Sequence, residues 1–377
     1  MLPLAENAPG AVNEGRIIEL DLPEGVPPLN MLYLYIAGSC NLACRHCWIS
    51  PNYIPGGKGG EFIPLEYVEK AIREGLPIGL SGVKLTGGEP LLHPKIRELI
   101  AMIAQAGLRI LIETNGTLID ADLAAFLKNY TQVCFISVSL DGATVATHEA
   151  LRLVPGSFQK AVDGIRNLVA VDCHPQMICT LHRGNVDELA QVVSLAQSLG
   201  CNSIKFNHVQ SSGRGESMAK DEGLSIPELI DLYHYVENEL VPDSKIPIFF
   251  DIPFAFRPIK DFLQGNIGRC DILHILGILA GGELSLCGIG VTVPELIFGN
   301  IAKDNLADIW YNNLSLKELR GLIPYSFEGI CGDCLHQEIC LGDCIANTYQ
   351  QTKTLSAPYY FCVQADRLEL FPASRRK

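Results

Sequence analysis

The sequence predicts an α/β fold: a β/α barrel, partial or full, followed by a cysteine-rich C-terminal region. Three observations carry that expectation. Six apolar runs of strand length alternate with amphipathic stretches between residues 31 and 241, and regular alternation of this kind implies parallel strands joined by right-handed crossovers. Several of the runs are continuously apolar, as strands buried on both faces are. The polar motifs directly follow strands, and barrels of this kind carry their active-site residues at the C-terminal ends of strands. From pattern alone, an open doubly wound sheet is the alternative.

In chain order, residues 1–30 are rich in Pro, Gly and Glu and read as an extended arm. Strand-like runs follow at 31–37, 82–86, 108–113, 133–140, 176–181 and 203–209. Helix-like stretches lie between them at 65–74, 94–106, 121–128, 157–171 and 186–199, each with apolar residues three and four apart. Gly200 suits a helix C-cap, and residues 227–241 give the last helix, starting near Ser225 or Ile226. The repeat then ends. A short apolar run at 246–252 leads to Cys270, and seven cysteines follow between 270 and 362. The expected division is an arm (1–30), a barrel (31–241) and a bridging segment with a cysteine-rich domain (242–377).

The chain is 377 residues long, enough to bury a large core, with 48% hydrophobic and 19% charged residues. No apolar run reaches the eighteen or so residues of a membrane span. The first fifteen residues include Glu6 and Glu14 and lack the basic-then-apolar pattern of a signal peptide, so a cytoplasmic protein is expected. There, fourteen cysteines point to metal rather than disulfides. A net charge of −13 argues against a nucleic-acid substrate.

The densest motif is Gly38-Ser39-Cys40-Asn41-Leu42-Ala43-Cys44-Arg45-His46-Cys47-Trp48, with spacing C-x₃-C-x₂-C. A closed [4Fe–4S] site uses four cysteines; three thiolates leave one iron open, as catalytic metal sites keep a vacant position. Read alone, the spacing also allows a zinc knuckle or buried cysteines. Thr86-Gly87-Gly88-Glu89-Pro90 after the second strand supplies the context. Together the two motifs resemble the radical SAM superfamily, an enzyme family with a partial (β/α)₆ TIM-like barrel. That resemblance implies that Cys40, Cys44 and Cys47 hold a cluster whose open iron chelates S-adenosylmethionine. Reductive cleavage of that molecule would give a 5′-deoxyadenosyl radical able to take hydrogen from an unactivated carbon. An external one-electron reductant of flavodoxin or ferredoxin type is implied with it.

By the same resemblance Gly87, Gly88 and Glu89 meet the methionine amino group. Asn115, in Glu113-Thr114-Asn115-Gly116, lies near the cofactor, although an Asx turn alone explains Asn115-Gly116. Ser139 and Asp141 close the fourth strand and can reach a ribose. Arg152 matches an arginine that pairs with the carboxylate, where a guanidinium fork fits bidentately. His148 beside Glu149 reads as a helix-surface pair.

Downstream, Cys270-x₁₁-Gly282-x₄-Cys287 precedes Cys331-x₂-Cys334-x₅-Cys340-x₃-Cys344 and a last Cys362. A zinc ribbon is the other reading of a C-x₂-C pair. The pattern resembles the SPASM extension of radical SAM enzymes. It implies two auxiliary [4Fe–4S] clusters, three in all: an outer one on Cys331, Cys334, Cys340 and Cys362, and an inner one on Cys270, Cys287 and Cys344. No cysteine stands in Asp261-Phe262-Leu263-Gln264-Gly265 to complete the inner set, which leaves an open iron or a ligand such as Asp271 or His274. Residues 272–280 and 283–289 read as a hairpin turning at Gly281-Gly282. Cys134, Cys173, Cys179 and Cys201 read as buried small hydrophobes, with a barrel-facing role open for Cys179.

Enzymes with this extension mostly modify peptides and proteins, so the resemblance implies maturation of a ribosomally made precursor peptide by crosslinking, oxidation or backbone splicing. Gly-Val-Pro-Pro-Leu at 25–29, with His46-Cys47-Trp48, looks most like leader-peptide maturases, including the spliceotide-forming group. Only 39 residues precede Cys40, fewer than the ~50 a domain needs, so a separate leader-binding partner or leader contact along the barrel is expected. The alternatives are oxidation of a sulfatase Cys or Ser to formylglycine, for which Asp251 is the candidate base, and a non-catalytic iron–sulfur electron carrier or zinc-binding protein.

Overall fold

The computed structural model describes residues 12–13, 16–17, 20–259 and 270–377. The Asp261–Gly265 neighbourhood and half of the expected arm lie outside the described residues. Seven parallel strands form the core: β1 (Met31–Ala37), β2 (Gly82–Gly87), β3 (Arg109–Thr114), β4 (Val133–Ser139), β5 (Gln176–Leu181), β6 (Ser203–His208) and β7 (Ile248–Phe250). Their order is sequential, β1-β2-β3-β4-β5-β6-β7, without the reversal that defines a doubly wound sheet. That order removes the doubly wound alternative. Among the described residues no ladder joins the last strands back to β1, so the barrel is partial.

The helices follow the strands: α1 (Leu65–Gly75), α2 (Ile96–Gln105), α3 (Ala121–Lys128), α4 (Val145–Arg152), α5 (Ser157–Ala170), α6 (Leu189–Leu199), α7 (Gly215–Asp221) and α8 (Ile226–Tyr235). Local chemistry sets their ends. Asp120 caps α3 by accepting from the Leu123 amide at 2.8 Å. Ser225 and Glu228 form a capping box on α8. Gly200 ends α6 in the left-handed region. Two helices, α4 and α7, were not expected.

The strands are less uniformly apolar than their sequences suggest. Leu32 and Leu34, Val83 and Leu85, Ile110 and Ile112, and Ile204 and Phe206 are fully buried against the helices. The alternate positions Tyr33, Lys84, Thr86, Glu113, Lys205 and Asn207 are only half-buried. Period-two alternation puts this second set on the inner face, so the barrel has a polar lumen. A packed barrel centre would instead bury both faces.

The chain then returns to the first strand. Strand β8 (Ile275–Ile278) pairs in parallel with β1, and β9 (Glu283–Ser285) and β10 (Ile297–Asn300) follow antiparallel. The hairpin expected at Gly281-Gly282 is therefore present, and it extends the barrel sheet to ten strands. Helices α9 (Leu306–Asn312), α10 (Leu314–Leu322), α11 (Ile345–Thr352) and α12 (Tyr360–Arg367) complete the C-terminal region. Among the described residues no helix is long and apolar enough to cross a membrane.

Candidate active site

The cysteine loop leaves β1 at its C-terminal end. Ser39–Cys40 forms a two-residue parallel ladder with Asn52–Tyr53, which ties the loop's two ends together. Cys40, Leu42 and Cys44 pack as one buried cluster, with Cys47 half-buried against them. Burial pushes the Cys40 thiol up to about 12, and the carboxylate of Glu89 and the neighbouring thiols add to it. Burial also raises Cys44, against the pull of Arg152. Binding iron would displace these protons.

The turn after β2 is zipped to the same strand end. Gly88 donates its amide to Ala37 O at 2.7 Å, and Glu89 donates to Ser39 O at 3.0 Å. This approach excludes side chains: a Cβ on Gly88 would lie 2.0 Å from Ser39 O, and Gly87 sits at φ 117°. Glu89 is fully buried and already occupied. Its carboxylate accepts from the Leu91 amide (3.0 Å), the Thr114 hydroxyl (2.7 Å) and the Asn115 amide (2.8 Å). Glu89 therefore clips the end of β2 to the end of β3. Asn115, so fixed, points its side-chain NH₂ at Asn41 Oδ1 (2.8 Å) and Cys40 Sγ (3.8 Å).

From the other side comes Arg152, at the end of α4. Its Nη1 lies 3.4 Å from Cys44 Sγ, and its Nε donates to Asp141 Oδ2 at 2.5 Å. Asp141 is fully buried, and its second oxygen accepts the Thr180 amide at 2.9 Å. The guanidinium holds that carboxyl well below the usual range. Asp141 thus orients Arg152, with one carboxylate oxygen on the guanidinium and the other on the Thr180 amide. Ser139, at the end of β4, is half-buried. Cys40, Cys44, Cys47, Gly87, Gly88, Asn115 and Arg152 do converge at the C-terminal ends of strands.

His148 is no surface residue. It is 1% exposed, its Nδ1 accepts the Asp141 amide at 3.1 Å, and burial lowers its pKa to about 4. Sequence reasoning also missed Arg214, in the loop after β6. It donates to Cys44 O (2.9 Å) and Pro51 O (3.1 Å), and its amide reaches Ser50 Oγ (2.7 Å). The clamp is made between residues 160 or more positions apart, and no local pattern marks it.

In the C-terminal region, Cys331, Cys334, Cys340 and Cys362 line one cavity with Ala255, Phe327, Ile330 and Phe371. The Tyr359 amide donates to Cys331 Sγ at 3.4 Å. Cys270, Cys287 and Cys344 form a second set, with burial pushing each thiol up to about 12 and the thiols acting on one another. Asp271 and His274 hydrogen-bond to each other at 2.9 Å, and His274 also lines a separate groove with Val26, Leu273 and Arg320. Of the remaining cysteines, Cys134 is exposed and Cys173 half-buried, against expectation, because each sits at the rim of its element. Cys179 and Cys201 are buried; Cys179 pairs in register with Phe206 on the helix-facing side, which rules out a barrel-facing role.

Among the described residues, no three His, Cys, Asp or Glu converge as ligands of a single metal ion. The donor sets suit iron–sulfur clusters.

Comparison with known proteins agrees. Residues 34–196 match the Radical SAM superfamily, and residues 270–335 match the iron-sulfur cluster-binding domain SPASM. The Fe-coproporphyrin III synthase of Methanosarcina barkeri is 31% identical over 81% of this chain and 80% of its own. The chain belongs to the radical SAM superfamily. It is an enzyme of that superfamily, with domains for S-adenosylmethionine and iron–sulfur chemistry. Mycofactocin maturase MftC of Mycobacterium tuberculosis is 27% identical over 86% of this chain and 81% of that one. The solved structure of Streptococcus suis SuiB bound to S-adenosylmethionine shares the fold, with TM-score 0.72 at 17% identity over 89% of this chain and 77% of that one.

Proposed function

We propose that this radical SAM enzyme matures a ribosomally made precursor peptide by crosslinking, oxidation or backbone splicing. The observation that carries the reading is the convergence of the three-cysteine loop, the Gly87-Gly88 turn, Asn115 and Arg152 at one barrel mouth, with two further thiol sets behind it. Cys40, Cys44 and Cys47 would hold the cluster that meets S-adenosylmethionine, and the two C-terminal sets would hold one cluster each. When bound, these groups supply a 5′-deoxyadenosyl radical that removes hydrogen from an unactivated carbon. The chain's own residues orient and insulate them. Gly87 and Gly88 let the turn close onto the end of β1 beside the cysteine loop. Arg152, held by Asp141, offers a guanidinium edge for a carboxylate. Glu89 fixes Asn115, and Arg214 clamps the cysteine loop.

Likeness to the mycofactocin maturase over most of both chains supports a peptide substrate. In this reading residues 31–241 form the catalytic barrel and 242–377 the auxiliary region, in a cytoplasmic enzyme with a flavodoxin- or ferredoxin-type reductant and a separate leader-binding partner. A second reading is an iron-porphyrin carboxylate substrate. One observation favours it: the 31% likeness to the Fe-coproporphyrin III synthase.

Anaerobic co-expression with the short peptide encoded beside the gene, followed by mass spectrometry, tests the proposal. Loss of two hydrogens indicates crosslinking or oxidation; loss of a residue-sized fragment indicates splicing. An unchanged peptide, together with a mass change in iron coproporphyrin III incubated with the reduced enzyme, overturns the peptide reading in favour of the porphyrin one.

A further inference from the structure

The lumen holds an ion pair that the radical site does not use. Lys84 Nζ lies 2.6 Å from Glu113 Oε1 and 4.5 Å from the centroid of the Tyr33 ring. The Thr86 hydroxyl donates to the other Glu113 oxygen at 3.2 Å. The lysine is therefore fixed by Glu113 and the Tyr33 ring, with its side chain 20% exposed, and Thr86 holds Glu113 in turn.

The sheet register shows what it faces. Leu111, Lys84, Tyr33 and Gly277 are consecutive partners across β3, β2, β1 and β8, so they share the lumen face. Gly277 has no side chain because Cys287 occupies that space: a Cβ there would fall 2.8 Å from the backbone of Cys287. Cys287 thus rests on the lumen face one strand beyond Tyr33 and two beyond Lys84. The ammonium of Lys84 sits over the ring of Tyr33, and Tyr33 is the in-register neighbour of the Gly277 position that Cys287 covers. Glu113, the partner of Lys84, immediately precedes Thr114 and Asn115, which Glu89 holds beside Cys40. The ion pair thus shares the lumen face with Cys287, and its acidic member is next in sequence to the residues held beside the cysteine loop.

We propose that Lys84 sets the reduction potential of the iron–sulfur cluster held by Cys270, Cys287 and Cys344, with Glu113 moderating its charge. This rests on the reading of those three cysteines as ligands. One-electron reduction adds a negative charge to a cluster, and a fixed cation nearby favours the reduced form. The half-buried lumen leaves that interaction only partly screened.

The test is a dithionite titration of the reconstituted full-length enzyme, followed by electron paramagnetic resonance. The inner-cluster signal is the one missing from a Cys270→Ala/Cys287→Ala variant. Lys84→Met lowers the midpoint of that signal, so that roughly tenfold less is reduced at a fixed potential, about 59 mV for a one-electron couple. Glu113→Gln raises it. If Lys84→Met folds poorly with Glu113 unpaired, the Lys84→Met/Glu113→Gln variant removes both charges and lies below Glu113→Gln alone. Opposite shifts are the result that loss of packing would not produce. An unmoved midpoint, or shifts of one sign in both single variants, overturns the proposal. If the double cysteine variant lacks no signal, the ligand assignment falls and takes the proposal with it.

Discussion

The cysteine loop of the barrel and the outer cysteine cavity use the same side chain to opposite ends. The outer cavity is a closed set: four thiols among Ala255, Phe327, Ile330 and Phe371. The loop offers three, and polar groups from β3 and α4 reach two of them, Asn115 toward Cys40 and Arg152 toward Cys44. Read as the ligands of the proposed outer cluster, four thiols in largely apolar walls suit storage and transfer of electrons. An incomplete set ringed by oriented donors suits chemistry on a bound molecule. The number of thiols and the polarity of what surrounds them therefore separate the two roles within one chain.

That comparison breaks most sharply at the loop. Cys44→Ala should abolish formation of 5′-deoxyadenosine, measured by chromatography, and remove about a third of the iron. If turnover survives, the loop is not the reactive set. Cys331→Ala/Cys362→Ala should do the reverse: Tm falls by about 5 °C or more while uncoupled cleavage of S-adenosylmethionine persists. Asp141→Asn leaves the guanidinium of Arg152 buried without its counter-charge and should cost about 3–5 kcal/mol in urea unfolding. The half-exposed Arg45–Glu222 pair gives the contrast, since Arg45→Ala should cost under about 1 kcal/mol.

A pH effect sharpens the picture behind the loop. His148 is neutral in the fold, with a pKa lowered to about 4, whereas the unfolded chain binds its proton below about 6.5. Unfolding therefore takes up a proton in that window, and stability falls as the pH drops from about 6.5 to 4, by about 2–3 kcal/mol. His148→Gln should flatten that slope in denaturation curves taken across the window. The smallest effect belongs to Cys134→Ser: an exposed thiol outside both sets should change stability by no more than about 0.5 kcal/mol, and its loss should leave the iron content unchanged.

Much of this architecture was legible in the chain. Residues 31–37 and 176–181 are strands as read, because a short apolar run bounded by turn signals is a local property. Helix α4 was not legible. Its buried face carries His148 and Arg152, so the apolar stripe that marks a helix is interrupted by the groups that serve the site. The barrel mouth was legible through its glycines and cysteines, whereas the contact by which Asp141 supports Arg152 was not. Arg214 and the Lys84–Glu113 pair depend on contacts between segments distant in sequence, and periodicity carries no information about those. The sequential strand order, too, emerges only from pairing.

The pairing of β8 with β1 has a practical corollary. Four residues of the auxiliary region, Ile275–Ile278, are hydrogen-bonded into the barrel sheet. Cutting the chain just before them would not release an independent barrel. It would bare the flank of Met31–Ala37, an apolar segment with unpaired amides and carbonyls, which is the kind of surface that recruits another strand and precipitates. The two regions should therefore be inseparable by truncation, and attempts to prepare the barrel alone should yield aggregates.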